Sequence, residues 1–135
     1  MNVTGGCHCG HITYEAEVDP GTIRVCHCTD CQKLTGTAFR ATIPSLPGTF
    51  ALKSGTPRLY LKTAESGNQR VHAFCPECGT PIYATAPGPS ASAYGLRVGG
   101  IDQRAQFAPP ARQVWCRSAL PWSMDLTQVE RIERQ

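Results

Sequence analysis

Cys7-His8-Cys9-Gly10, at residues 7–10, and Cys75-Pro76-Glu77-Cys78-Gly79, at residues 75–79, decide how this chain folds. On an extended backbone the side chains at i and i+2 share one face, so the sulfurs of Cys7 and Cys9 can reach one metal. A glycine after the second cysteine of each pair lets the chain turn with φ > 0 and aims backbone N–H groups at the sulfurs. Together the four thiolates complete a tetrahedral zinc site. That clip would join the N-terminus to the middle of the chain and close a loop of about 65 residues, where a crosslink stabilises most. Its role is structural.

The third cluster, Cys26-His27-Cys28-Thr29-Asp30-Cys31, places three sulfurs within six residues and has no evident fourth donor nearby. A second zinc held there would keep a vacant corner. His27 lies between two ligands and points away from them, as a neutral imidazole at the surface or behind the ligands. Cys116, in the apolar run Val114-Trp115-Cys116, is expected to pack in the core as a small hydrophobe. Three thiolates more than neutralise Zn²⁺ and leave a net charge of about −1, a poor Lewis acid toward a carbonyl. The H-E-x-x-H and H-x-E…C-x-x-C patterns of hydrolytic zinc are missing. What such a site does well is bind another thiol and hold it ionised. An external thiol such as glutathione, meeting an aldehyde, is the expected chemistry.

The chain's 135 residues and net charge of +3 fit one domain over 1–135, with a core of roughly residues 5–122 and a tail of 123–135. Lys and Arg are scattered, so neither a nucleic-acid face nor a membrane surface is indicated. No basic leader or span of ~20 apolar residues occurs, which points to the cytoplasm, where thiols stay reduced.

Ile12 to Val18 alternates apolar and polar residues as a half-buried strand does. Shorter strands are expected at Thr22–Val25, Ala38–Ile43, Phe50–Lys53, Arg58–Leu61, Val71–Phe74, Pro81–Ala84, Tyr94–Val98 and Gln113–Arg117. Glycine- and proline-rich turns separate them, so the fold is mainly β with short helical turns. A short helix capped by Thr29 or Asp30 and stopped by Gly36 is expected after the second cluster, and another across Leu126–Ile132.

The runs Gly5-Gly6-Cys7-His8-Cys9-Gly10, Cys26-His27-Cys28-Thr29-Asp30-Cys31-Gln32-Lys33 and Phe74-Cys75-Pro76-Glu77-Cys78-Gly79-Thr80-Pro81-Ile82-Tyr83 resemble the glutathione-dependent formaldehyde-activating family, also called the CENP-V/GFA domain. Val98-Gly99-Gly100-Ile101-Asp102 is a weaker echo of it. The resemblance implies an Mss4-like, zinc-clipped β fold of the β-tent type. It also implies two zinc ions per chain: a structural one on Cys7, Cys9, Cys75 and Cys78, and a catalytic one on Cys26, Cys28 and Cys31. The implied activity is that of a carbon–sulfur lyase, forming or cleaving S-hydroxymethylglutathione. Lys33, Arg40 and Arg97 are the cations considered for the glutathione carboxylates, each with a solvated surface role as the plainer reading. The rival functions are a non-catalytic zinc module for a protein partner and a thiol/zinc redox sensor.

Overall fold

The computed structural model describes every residue except Glu65, Ser90 and Gln135, and the described residues form a mainly β protein with one short α-helix. Strands β1 (Asn2–Gly6), β2 (Thr13–Glu17) and β5 (Ala51–Ser54) make a three-stranded antiparallel sheet in the order β1-β2-β5. The other strands are β3 (Arg24–Cys26), β4 (Arg40–Pro44), β6 (Arg58–Thr63), β7 (Gln69–Phe74), β8 (Pro81–Thr85), β9 (Gly95–Arg97) and β10 (Arg112–Val114). They form a seven-stranded sheet in the order β10-β3-β4-β9-β8-β7-β6. Among the described residues no helix is long and apolar enough to cross a membrane.

The core lies between the two sheets. Val3, Tyr14 and Ala16 from the small sheet, with Val18 just beyond β2, pack with Ile43, Ala73, Tyr83 and Leu96 from the large one. Each fully buried aliphatic side chain stabilises the fold by about 1.5–3 kcal/mol. Phe50 and Tyr94 stack at 4.4 Å between ring centroids, and Tyr83 meets Tyr94 edge-on at 4.9 Å. Because side chains alternate along a strand, the register also fixes what lies on the opposite face of the large sheet. Cys26 pairs with Arg40, Arg24 with Thr42, Thr42 with Arg97, His72 with Ala84, and Lys62 with Arg70. Those residues point away from the core, so one face is apolar and the other basic.

Strand β1 went unpredicted because its sequence, Asn-Val-Thr-Gly-Gly, has a single large apolar residue. Its alternation is real, with Val3 and Gly5 inward. Gly5 has to be glycine, since a Cβ there would run into the Gly100 carbonyl and the Tyr14 phenol. The Val98–Asp102 segment supports this strand from the side. Thr4 Oγ1 donates to Asp102 Oδ2 at 2.7 Å, and Asp102 N–H donates to the Thr4 carbonyl at 2.9 Å.

Four expectations fail. Leu126–Ile132 forms no helix, and Leu126, Val129 and Ile132 are exposed. Seven residues do not nucleate a helix without a surface to pack on, and Asp125 Oδ1 instead accepts from the N–H and hydroxyl of Thr127. Cys116 is exposed rather than packed in the core. The strand expected over Gln113–Arg117 ends at Val114, because Trp115 takes a left-handed φ of 58° and turns the chain into a 3₁₀ turn over Cys116–Ser118. Cys7 and Cys9, finally, converge through a tight turn and not along a strand. The Gly10 N–H closes that turn on the Cys7 carbonyl at 3.1 Å, with Gly10 at φ 81°.

Candidate functional site

The first and last cysteine pairs meet where the β1–β2 connection abuts the β7–β8 connection. The Sγ atoms of Cys7, Cys9, Cys75 and Cys78 all lie within 4.8 Å of one another. Cys7 and Cys9 sulfurs are 3.5 Å apart, and Cys9 and Cys75 sulfurs 3.8 Å. These separations are too long for a disulfide, whose sulfurs stand about 2 Å apart. They match the edge of a tetrahedron with metal–sulfur bonds of 2.3 Å, about 3.8 Å. The donor set therefore fits a metal ion. Backbone and hydroxyl donors surround it. Ile12 N–H donates to Cys7 Sγ at 3.2 Å, and Thr80 Oγ1 sits 3.1 Å from Cys78 Sγ. The side chain and N–H of Thr80 hold the Cys78 thiol well below the usual range, at about 5. The His8 N–H also donates to Thr80 Oγ1 at 3.1 Å, tying the two halves together.

Cys26, Cys28 and Cys31 form the other cluster, again with all sulfurs within 4.8 Å. Among the described residues no fourth His, Cys, Asp or Glu donor joins them. Strand β3 delivers Cys26, and the helix α1 (Thr29–Thr35) delivers Cys31. Cys28 itself is the helix N-cap, in place of the expected Thr29 or Asp30: its sulfur accepts the Cys31 N–H at 3.2 Å. Gly36 ends the helix in a left-handed conformation, φ 67°, as expected. Burial pushes the Cys28 thiol up, but hydrogen bonds from Cys31 and Cys26 and the Lys62 charge leave it below its usual value. Burial and Cys28 push Cys31 up, partly offset by Arg40.

His27 is outside the sulfur cluster, but it is not at the surface either. Its side chain is 1% exposed, meets Phe39 edge-on, and pairs through Nε2 with Gln113 Oε1 at 2.8 Å. It locks β10 beside β3 and thereby fixes the cysteine loop.

A cavity of about 240 Å³ opens beside Cys26 and Cys31. Arg24, Arg40, Lys62, Arg70 and Arg97 line it, along with His72 and Trp115, and among the described residues no acid does. Arg97 is 8% exposed, contrary to the solvated role expected for it, whereas Lys33 is exposed. Its Nη2 donates to His72 Nδ1 at 3.1 Å. Burial first, and then the Arg40 charge, push Arg97 down to about 9, so it stays cationic at neutral pH. Lys62 Nζ reaches Asp30 Oδ2 at 2.7 Å. A larger groove of about 490 Å³ crosses β1 and β2, but it is lined by residues such as Thr4, Glu15 and Glu17 and carries neither cysteine nor cation. The cavity beside the three-cysteine cluster thus joins thiols to a concentration of cations.

Sequence reading found every cysteine and missed the cavity. Arg24, Lys62, Arg70 and His72 carry no local motif, and only the strand register brings them to one face.

A comparison with curated proteins finds no match. Among solved structures, a Rhodobacter sphaeroides protein determined as a structural-genomics target is similar in fold, with a TM-score of 0.59 at 22% identity over 82% of this chain and 99% of that one. The model of the family described as glutathione-dependent formaldehyde-activating enzyme matches residues 2–118, and with both cysteine clusters assembled inside that span, the chain belongs to the glutathione-dependent formaldehyde-activating enzyme family.

Proposed function

We propose that the protein is a zinc-dependent carbon–sulfur lyase-type enzyme that forms or cleaves a thiol–aldehyde adduct, with S-hydroxymethylglutathione as the family's model. In this reading Cys7, Cys9, Cys75 and Cys78 hold a structural zinc, and Cys26, Cys28 and Cys31 hold the catalytic one. The observation that carries it is the contrast in donor number, four sulfurs in one cluster and three beside an open cavity in the other. Zinc bound by three thiolates supplies a fourth position at which an incoming thiol is ionised at neutral pH.

The chain's own residues do the rest. Cys28, as helix N-cap, fixes the spacing of the trio. The charges of Lys62 and Arg40 favour the thiolate forms of Cys28 and Cys31. The cavity brings sulfur and carbonyl carbon together, and orientation is the main gain. In the forward direction a carbon–sulfur bond forms, the carbonyl π pair moves to oxygen, and that oxygen takes up the proton released when the thiol ionised. Cleavage runs the same steps backward.

Cobalt substitution tests this reading. Glutathione added to cobalt-loaded protein should raise the sulfur-to-metal charge-transfer band at the three-cysteine site, by about one-third as three thiolates become four. A band that does not change on thiol addition leaves a non-catalytic metal module.

A further inference from the structure

The cations around the three-cysteine cluster outnumber the acids beside them among the described residues. We propose, resting on the thiol-adduct reading above, that the Arg40–Arg97 cavity binds an anionic group on the carbonyl half of the substrate. The electrophile is then an oxo acid or a phosphorylated aldehyde, and bare formaldehyde leaves the cavity unused.

Four observations support this assignment. Arg40 Nε and Nη2 and Arg97 Nε and Nη1 are buried without a hydrogen-bond partner, although Arg97 is 8% exposed. Buried guanidinium donors are costly when unpaired, and an oxyanion is the partner their planar fork fits best. Lys62 and Arg70 face each other across the β6–β7 pair, a like-charge arrangement that Asp30, 2.7 Å from Lys62, relieves on the Lys62 side only. The four arginines of the lining meet no acid among the described residues of the cavity. Three thiolates on a dication contribute only about one negative charge, and a fourth about two, so positive charge remains in excess.

The same chemistry speaks against the thiol half as the occupant. Glutathione brings an ammonium with its carboxylates, and no acid among the described lining residues offers that ammonium a partner. Formaldehyde is uncharged and offers a guanidinium little. A volume of about 240 Å³ equals the space of about eight waters, enough for a carboxylate or phosphoryl group and the carbonyl attached to it. Held there, the carbonyl carbon lies beside the cluster. The thiolate adds to it, the π pair moves to oxygen, and the oxygen takes the thiol's proton; nothing is oxidised or reduced.

Calorimetric titration of the metallated protein with glyoxylate, inorganic phosphate and formaldehyde, each with and without saturating glutathione, tests the proposal. Glyoxylate or phosphate should bind saturably at one site and continue to bind with glutathione present. Tighter glyoxylate marks a carboxylate source, tighter phosphate a phosphoryl source. Arg97→Gln should weaken either anion by about tenfold or more, as loss of a charge-assisted donor does. Arg40→Gln, at a less buried position, should do the same and decides the matter if Arg97→Gln folds poorly. Absence of saturation, wild-type affinity in both variants, or displacement of the anion by glutathione overturns the assignment. A cobalt band that ignores glutathione while the anion still binds defeats the thiol reading alone; a responsive band with no anion binding defeats the anion site alone.

Discussion

The two cysteine clusters use the same ligand at opposite ranges. Cys9 and Cys75 are 66 residues apart in the chain, so a metal on the four-cysteine site ties the small sheet to the β7–β8 end of the large one. Cys26, Cys28 and Cys31 lie within six residues, and a metal there tightens a loop that strand β3 and helix α1 already hold. On the chain-entropy scale, closing the long loop contributes about 4 kcal/mol and the short one about 2. Their surroundings differ as well. Hydrogen bonds from Ile12 and Thr80 dominate the four-cysteine site, whereas side-chain cations surround the trio. In the proposed reading, the set that spans the fold and completes its own geometry is a fastener, and the one that is local, a donor short and set among cations binds a further ligand.

The harshest way to break that contrast is one serine at each site. Cys75, fully buried, should not tolerate Cys75→Ser: with the clip gone, of the order of 10 kcal/mol of metal-coupled folding free energy goes too. Circular dichroism and thermal melting should show an unfolded or molten chain. Cys28→Ser should keep the fold, lower the melting temperature by only a few degrees, and lose the thiol response in the cobalt spectrum. Equal damage from both substitutions would erase the distinction between fastener and binding site. Graded chelation probes the same contrast without mutation. Native mass spectrometry should show two ions per chain at first, then one, with the melting transition surviving the first loss.

Gly5→Ala sharpens the comparison at lower cost. The added methyl collides with the Gly100 carbonyl and the Tyr14 ring, and overpacking of this kind costs about 1–3 kcal/mol. Because β1 leads straight into Cys7, the variant should also bind the fastening metal more weakly while the three-cysteine metal is unchanged. Competition with a chromophoric chelator measures both. Equal weakening at the two sites would mean that the clusters are coupled through the core.

How far the sequence could take this reading depended on range. Both cysteine clusters were legible because each half is a local pattern: Cys-x-x-Cys-Gly is compact, and the trio spans only six residues. The alternating run Ile12–Val18 was legible for the same reason, since both of its faces lie in one stretch of chain. The basic cavity was not. Arg24, Arg40, Lys62, Arg70 and Arg97 are scattered singly, which led to the reading of an evenly spread charge. Antiparallel register then brought them to one face, a long-range outcome with no local signature. Cys116 failed for a different reason: a left-handed Trp115 ended an apolar run that composition alone would have continued.

The smallest predicted effect is a pH dependence confined to the open side. His72 is buried, and its pKa is pushed down to about 4 from the usual 6.5, first by burial and then by the charges of Arg40, Arg97, Lys62 and Arg70. Above the unfolded value both states carry a neutral ring, and His72 contributes no pH dependence. As pH falls below 6.5 the unfolded chain takes up a proton that the folded chain refuses. Stability therefore drops with falling pH, by at most about 1.4 kcal/mol per unit until the folded value is reached. Urea midpoints at pH 7 and pH 5.5 should show wild type losing about 1 kcal/mol more than His72→Gln, which lacks the titrating ring. A bound anion offsets the surrounding positive charge and makes protonation of His72 easier, so phosphate or glyoxylate should shrink that difference. A difference between wild type and His72→Gln that is insensitive to anions would leave burial alone responsible for the shift and separate His72 from the cavity's charge.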